Sequence, residues 1–196
     1  VDIGNSTSGL LRGRTGLAGC FRLESKISDL CSQVHRKGGS VMSFTGDGFI
    51  ALFDKSDFLS EERAVDSALE VAIKVGEAFG EEKRNSARGK VNYPKDKELT
   101  VRCALHWGKA YVPKSGQLRD QIIGGDIVIA TRLCDWSSIF EDTDPIDKNG
   151  VVISSTQNFF KLLRSEERKN WYCLGHKPFK GFKTDITIHR RKTIAK

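Results

Sequence analysis

Residues 40–53 read SVMSFTGDGFIALF, a pattern that predicts the first complete pair of strands. Two apolar runs, Ser40–Phe44 and Phe49–Phe53, flank a short segment that contains two glycines and an aspartate. Glycine and aspartate accept the backbone angles of a tight turn, so the pattern is typical of a β-hairpin. The sequence therefore predicts two antiparallel strands with Asp47 at the tip of their turn.

A helix is predicted on each side of this hairpin. Apolar residues from Leu23 to Val34 recur at helical spacing, and Gly38 follows a basic last turn, which is typical of a helix end. A second amphipathic helix is predicted over Glu61–Phe79, with Ser60 as its N-cap. The following segment, Gly80–Lys97, is rich in charged residues and glycine and predicts a loop.

The second half of the chain mixes strands and helices. The predicted elements are a strand over Leu99–Val112, a helix over Ile127–Trp136, a short strand over Val151–Ser154, a helix over Thr156–Leu163 and a terminal strand pair within Trp171–Ile188. This order predicts an α+β sandwich in which helices pack against a largely antiparallel sheet. Residues 1–196 show no internal repeat, so we expect a single domain.

Composition and charge exclude several classes of protein. The net charge is +7, but residues 161–196 contain eleven basic and three acidic residues, a net of +8, so the remainder is balanced. A local site for an acidic ligand fits this distribution better than a broad nucleic-acid surface. No apolar run approaches the roughly 20 residues that span a bilayer. The five scattered cysteines predict neither disulfides nor zinc, and so favour a cytoplasmic protein.

Two aspartates are candidates for metal binding. Asp2 ends an apolar strand fragment and Asp47 lies in the hairpin turn, and carboxylates at strand ends can share divalent cations. Each also has a simpler interpretation, as a strand-end acid and an ordinary turn residue. The run after Asp2, which includes Asn5, Ser6 and Thr7, could present backbone N–H groups to phosphates.

Five motifs occur in order along the chain. They are Asp2-Ile3-Gly4, residues 45–53 (TGDGFIALF), His106-Trp107-Gly108, residues 123–133 (IGGDIVIATRL) and Phe179-Lys180-Gly181-Phe182. Their order and spacing resemble the class III nucleotide cyclase homology domain over nearly the whole chain. The resemblance implies a ferredoxin-like βαββαβ sandwich, with a mainly antiparallel sheet covered by helices.

The resemblance also implies a chemistry. Similar enzymes join the 3′-hydroxyl of a nucleoside triphosphate to its α-phosphate and release pyrophosphate, using two Mg²⁺ or Mn²⁺ ions. Asp2 and Asp47 match the metal ligands, with the Ile3 carbonyl as a third. Arg132 matches the transition-state arginine and Lys180 the triphosphate-binding lysine. A homodimer with active sites across its interface is implied, as is a native N-terminal segment before Val1.

The sequence departs from the family pattern at three positions that, in similar enzymes, recognise the base or orient the ribose. Ser43 replaces the purine-selecting lysine, Gln121 the adenine-selecting aspartate and Val128 the ribose-orienting asparagine. The residues that match the family's metal and phosphate ligands are present, whereas those at the base-recognition positions differ. This combination looks closest to the bacterial pyrimidine cyclases of Pycsar antiphage systems. Gln121 could read uracil or cytosine, and Phe44 could stack on the base or be an ordinary core aromatic.

The sequence therefore predicts a cyclase that makes cyclic UMP, or cyclic CMP, as a defence signal to a separate effector, without nucleic-acid or membrane partners. Two alternatives remain open. One is an adenylate or guanylate cyclase with an altered base pocket. The other is a catalytically silent, cyclase-like nucleotide-binding module.

Overall fold

The computed structural model describes residues 1–4, 16–45, 48–87, 100–113, 122–137 and 151–192. These residues form, in chain order, β1 (Asp2–Gly4), α1 (Gly16–Arg36), β2 (Ser40–Phe44), β3 (Phe49–Leu52), α2 (Glu61–Ala87), β4 (Thr100–Leu105), α3 (Gly125–Ser137), β5 (Val151–Thr156), α4 (Gln157–Leu162), α5 (Ser165–Arg168), β6 (Trp171–Lys177) and β7 (Ile186–Arg191). A single 3₁₀ turn, Lys55–Asp57, lies between β3 and α2.

The first six elements follow the βαββαβ order that the resemblance implies. The main sheet has the strand order β1-β4-β5-β7-β6, and β2 and β3 form an antiparallel hairpin. The hairpin joins the main sheet through Val1 and Phe49, whose backbone N and O atoms are reciprocally hydrogen-bonded at 3.0 Å. Only β4 and β5 pair in parallel among the named strands, so the predicted α+β, mainly antiparallel sheet is confirmed.

Helices cover both faces of this sheet. Val101 and Cys103 of β4 belong to the main core cluster with α1 and α2, while Ala104 packs against a second cluster that includes Leu133 of α3. Successive strand residues point to opposite faces, so α1 and α2 lie on one side and α3 lies on the other. Packing on two faces fixes the position of α3, which carries the predicted transition-state arginine.

Local capping explains where two of the helices end or begin. The chain leaves α1 through Gly38, whose φ of +79° is unfavourable for other residues, and the Gly39 N–H donates to the Val34 carbonyl. At the start of α2, the Ser60 hydroxyl accepts a hydrogen bond from the Arg63 N–H at 3.3 Å. Both ends agree with the sequence prediction.

Two predicted boundaries are wrong. The α2 helix continues to Ala87, whereas a loop was expected from Gly80. The Glu, Lys and Arg residues of this segment are good helix formers and no proline interrupts it, so the helix tolerates one glycine at about 1 kcal/mol. The strand predicted over Leu99–Val112 ends at Leu105, because the following residues leave the sheet to contact α3.

Candidate functional site

The predicted metal ligands belong to the junction between β1 and the hairpin. The reciprocal Val1–Phe49 pair sets an antiparallel register that brings Asp2 opposite Gly48. The Thr45 N–H donates to the Gly48 carbonyl at 3.0 Å, which closes the hairpin turn. Asp47 lies outside the described residues, but the residue that follows it is next to the strand of Asp2 and Ile3. We call Asp2, Ile3 and the β2–β3 hairpin the acidic half-site.

An aromatic side chain is exposed at this end of the hairpin. Phe44, the last residue of β2, is 63% exposed, so the interpretation of Phe44 as a core aromatic is wrong. Ser43 before it is half-buried. An exposed ring beside a predicted metal site is available to stack on a base.

Helix α3 carries two of the predicted residues. Val128 and Arg132 are four residues apart and therefore share one helix face. Val128 is 43% exposed, while Arg132 is half-buried. The Arg132 Nε atom is buried and has no hydrogen-bond partner among the described residues. This leaves a guanidinium donor available, next to an apolar side chain, for an anionic ligand.

Lys180 lies in the turn between β6 and β7. The Phe182 N–H donates to the Phe179 carbonyl at 3.0 Å, and Gly181 has a φ of +92°, as the third position of a type II turn requires. Phe179 is 5% exposed and packs with Leu133 and Ile188. The turn that presents Lys180 is thus anchored on the residue next to Arg132.

Val128, Arg132 and Lys180 form what we call the basic half-site. Neither cation has a carboxylate partner within the part of the chain that the structure describes. Two cations that lack a carboxylate partner among the described residues, and whose chain neighbours Leu133 and Phe179 pack together, favour a multiply charged anion such as a triphosphate.

Sequence reasoning missed a contact at the start of α3. The Asp126 carboxylate, in the first turn, accepts from the Lys109 N–H at 2.5 Å, and its other oxygen lies 3.3 Å from His106 Nε2. His106 is followed two residues later by Gly108, where a Cβ would lie 2.3 Å from Asp126 Oδ2 and 2.7 Å from His106 Nε2. A glycine at position 108 is therefore explained by the lack of space for a side chain beside Asp126 and His106. The sequence alone showed only that this glycine follows His106 by two residues.

The surroundings of His106 disfavour its protonated form. Burial lowers its pKa, and the nearby Asp126 carboxylate only partly opposes this effect. The His106 Nδ1 atom lies 2.8 Å from the Thr156 hydroxyl, and the side chain is 6% exposed. The His106 side chain therefore lies between β5 and α3, just after the end of β4.

A cleft of about 1040 Å³ lies between the hairpin, α2 and the start of α3. Its lining includes the α3 residues Ile127, Ala130, Thr131 and Cys134. Thr45 and the β3 residues Phe49–Leu52 of the hairpin also line it, whereas Val128, Arg132 and Lys180 do not. The cleft therefore adjoins the acidic half-site and is separate from the basic half-site.

The remaining predicted residues lie outside the described part of the chain. They are Asn5, Ser6, Thr7, Asp47 and Gln121. Within the described residues, no group of three or more His, Cys, Asp or Glu side chains could hold a metal ion. None of the described helices combines the length and apolarity that crossing a membrane requires.

Solved nucleotide cyclase structures resemble this fold. The adenylyl cyclase CyaB from P. aeruginosa is 18% identical, covers 99% of this chain and 93% of its own, and superposes with a TM-score of 0.73. The guanylate cyclase domain of RhGC from Catenaria anguillulae, in complex with GTP, is 17% identical, with 98% and 92% covered and a TM-score of 0.65. An adenylate cyclase from Trypanosoma brucei, in its monomeric state, is 17% identical, with 98% and 86% covered and a TM-score of 0.63.

No protein-family model and no curated protein matches the sequence. The likeness to the solved structures spans nearly the entire chain and includes the mixed sheet covered by helices. The chain therefore has the fold of a class III nucleotide cyclase domain.

Proposed function

We propose that the protein is a pyrimidine nucleotide cyclase that converts UTP, or CTP, to the 3′,5′-cyclic monophosphate and pyrophosphate. The observation that carries the proposal is the basic half-site. Two cations without carboxylate partners among the described residues, Arg132 and Lys180, are joined by the packing of Leu133 on Phe179 within a cyclase fold. This arrangement suits an anion with several phosphates better than a neutral ligand.

Arg132 and Lys180 have distinct roles in this proposal. Lys180, exposed at the tip of a fixed turn, binds the triphosphate. Arg132 donates to the α-phosphate oxygens as charge grows on them, and its half-buried position strengthens that interaction. Asn5, Ser6 and Thr7 contribute backbone N–H groups to the phosphates.

The acidic half-site holds two divalent cations, Mg²⁺ or Mn²⁺, through the Asp2 and Asp47 carboxylates and the Ile3 carbonyl. These hard oxygen donors fit such ions, and the Val1–Phe49 pairing supports the fit because it joins the strand of Asp2 to the hairpin of Asp47. When bound, the ions activate the 3′-hydroxyl and neutralise the triphosphate. The two half-sites meet across a head-to-tail homodimer, which has two active sites.

Pyrimidine preference is supported by the side chains around the base. Val128 cannot hydrogen-bond to a ribose or a base, and Ser43 cannot replace a lysine as a purine reader. Phe44 stacks on the smaller ring, and Gln121 reads its edge with a donor and an acceptor. The product is a second messenger in cytoplasmic antiviral defence that acts on a separate effector, without nucleic-acid or membrane partners.

A second candidate is an adenylate or guanylate cyclase with a rearranged base pocket. It is favoured by the solved structures of similar fold, which are described as adenylyl and guanylyl cyclases. A third candidate is a catalytically silent module that has the same fold and binds a nucleotide through Arg132 and Lys180, but does not convert it to a product.

Turnover of the four triphosphates, each tested separately with Mn²⁺, distinguishes these candidates. We expect cyclic product from UTP or CTP, little from ATP or GTP, and loss of turnover in Asp47→Ala and Arg132→Ala with the dimer intact. A clear preference for ATP or GTP contradicts the pyrimidine assignment. Nucleotide binding without any turnover favours the silent module, and full activity in either variant refutes its assigned role.

A further inference from the structure

The start of α3 is tied to the main sheet through two side chains. His106, just after β4, contacts Thr156 at the end of β5 on one side and Asp126 in α3 on the other, at 2.8 Å and 3.3 Å. Thr156 is 2% exposed, so this chain of contacts begins in the core. The Lys109 N–H adds a hydrogen bond to the second Asp126 oxygen at 2.5 Å.

We propose that His106 and Asp126 are positioning residues that fix the N-terminal turn of α3 and thereby the placement of Arg132, an inference that rests on the proposed cyclase activity. Asp126 precedes Arg132 by six residues, about 9 Å along a stiff helix. Leu133, fully buried against Phe179, fixes the helix beyond Arg132. The arginine therefore lies between two anchors, and movement at either one changes the direction of its guanidinium.

The position of Asp126 suits this role in two further ways. A carboxylate in the first turn of a helix interacts favourably with the helix dipole. His106 Nε2 is buried and has no hydrogen-bond partner within the described part of the chain, so its contact with Asp126 is close but not aligned as a hydrogen bond. The contact is thus set by packing around Gly108, where any side chain would push the pair apart.

A purely structural role predicts different behaviour from a positioning role. If the pair only stabilises the fold, its disruption lowers the melting temperature and leaves kcat of the folded protein unchanged. If it positions Arg132, which acts on charge that develops in the transition state, kcat falls while KM stays nearly constant. A displacement of about 1 Å can cost about 100-fold in rate.

Two glycine substitutions provide a matched test in the full chain. Gly108→Ala places a methyl group against Asp126 and His106, whereas Gly125→Ala, at the start of the same helix, meets nothing within 4 Å. We expect kcat to fall by about tenfold or more in Gly108→Ala with KM within about twofold, and to stay near the wild-type value in Gly125→Ala. Asp126→Ala replaces Gly108→Ala if the latter does not fold.

Hydrogen exchange of the α3 backbone amides gives a second readout that needs no activity. We expect protection over residues 126–133 to fall by about tenfold in Gly108→Ala relative to Gly125→Ala. Equal kcat in the two glycine variants, or equal protection in α3, overturns the proposal. If the wild-type protein turns over no nucleotide, the proposed function fails, and the exchange data alone then decide whether the contact holds the helix.

Discussion

Replacing Leu133 by alanine is expected to lower both the stability and the activity of the protein. Leu133 is fully buried and packs with Phe179 and Ile188 on the face of the sheet that α3 covers. Its chain neighbour is Arg132, and Phe179 anchors the turn of Lys180. Removing the side chain leaves a cavity between the helix and the turn, so the two cations of the basic half-site lose their shared support.

The expected loss of stability follows from this burial. Leucine-to-alanine substitutions at core sites cost about 2 to 5 kcal/mol in the free energy of unfolding, and a fully buried site justifies about 3 kcal/mol. In a chain of this length each kcal/mol lowers Tm by about 2 to 4 °C, so we expect Tm to fall by about 6 to 12 °C. Circular dichroism melting measures this shift.

Leu69→Ala is the matched control for this substitution. Leu69 is 4% exposed and belongs to the main core cluster on the other face of the sheet, away from Arg132 and Lys180. The same chemical change predicts a similar fall in Tm. We expect kcat/KM, measured well below both melting temperatures, to fall by about tenfold or more in Leu133→Ala but by less than about threefold in Leu69→Ala. Equal losses of activity in the two variants refute the coupling between helix and turn.

The remaining predictions concern the base, the pH dependence and the thiols. Phe44→Ala should raise KM by about tenfold without changing Tm, since base stacking is worth about 1 to 3 kcal/mol and the ring is 63% exposed; an unchanged KM contradicts the stacking role. Burial lowers the pKa of His106 and His189, so at acidic pH these side chains bind protons more readily in the unfolded state than in the native state. The free energy of unfolding, measured with urea, should therefore be lower at pH 5.5 than at pH 7.5. Equal or higher stability at pH 5.5 contradicts this assignment. Burial raises the pKa of Cys103 to about 12, so we expect Ellman's reagent to label the exposed Cys173 in the native protein and leave Cys103 unlabelled, and labelling of Cys103 in the folded state contradicts its burial.

Local patterns in the sequence predicted much of the fold. The hairpin strand β2 has the predicted bounds, and Ser60 caps α2 as expected, because turn and capping preferences act within a few residues. The extension of α2 to Ala87 was missed because a charged, glycine-containing segment can be either a loop or a solvated helix. Its own composition does not decide between these two states.

Long-range packing accounts for the rest. The contacts that place the basic half-site join Leu133 to Phe179 and His106 to Asp126, pairs separated by many residues with no local signal. The sequence predicted Arg132 and Lys180 through their motifs, and the structure adds that their chain neighbours Leu133 and Phe179 pack in one cluster. The environment of Gln121 and Asp47 stays a prediction, since both lie outside the described residues.

Competition among the four nucleoside triphosphates measures the base preference of the protein in a single experiment. An equimolar mixture of ATP, GTP, UTP and CTP with Mn²⁺ yields cyclic products in proportion to their kcat/KM values, and mass spectrometry resolves the four masses in one sample. We expect cyclic UMP or cyclic CMP to dominate and Arg132→Ala to form neither. Predominant cyclic AMP or cyclic GMP, or the absence of every cyclic product, would contradict this expectation.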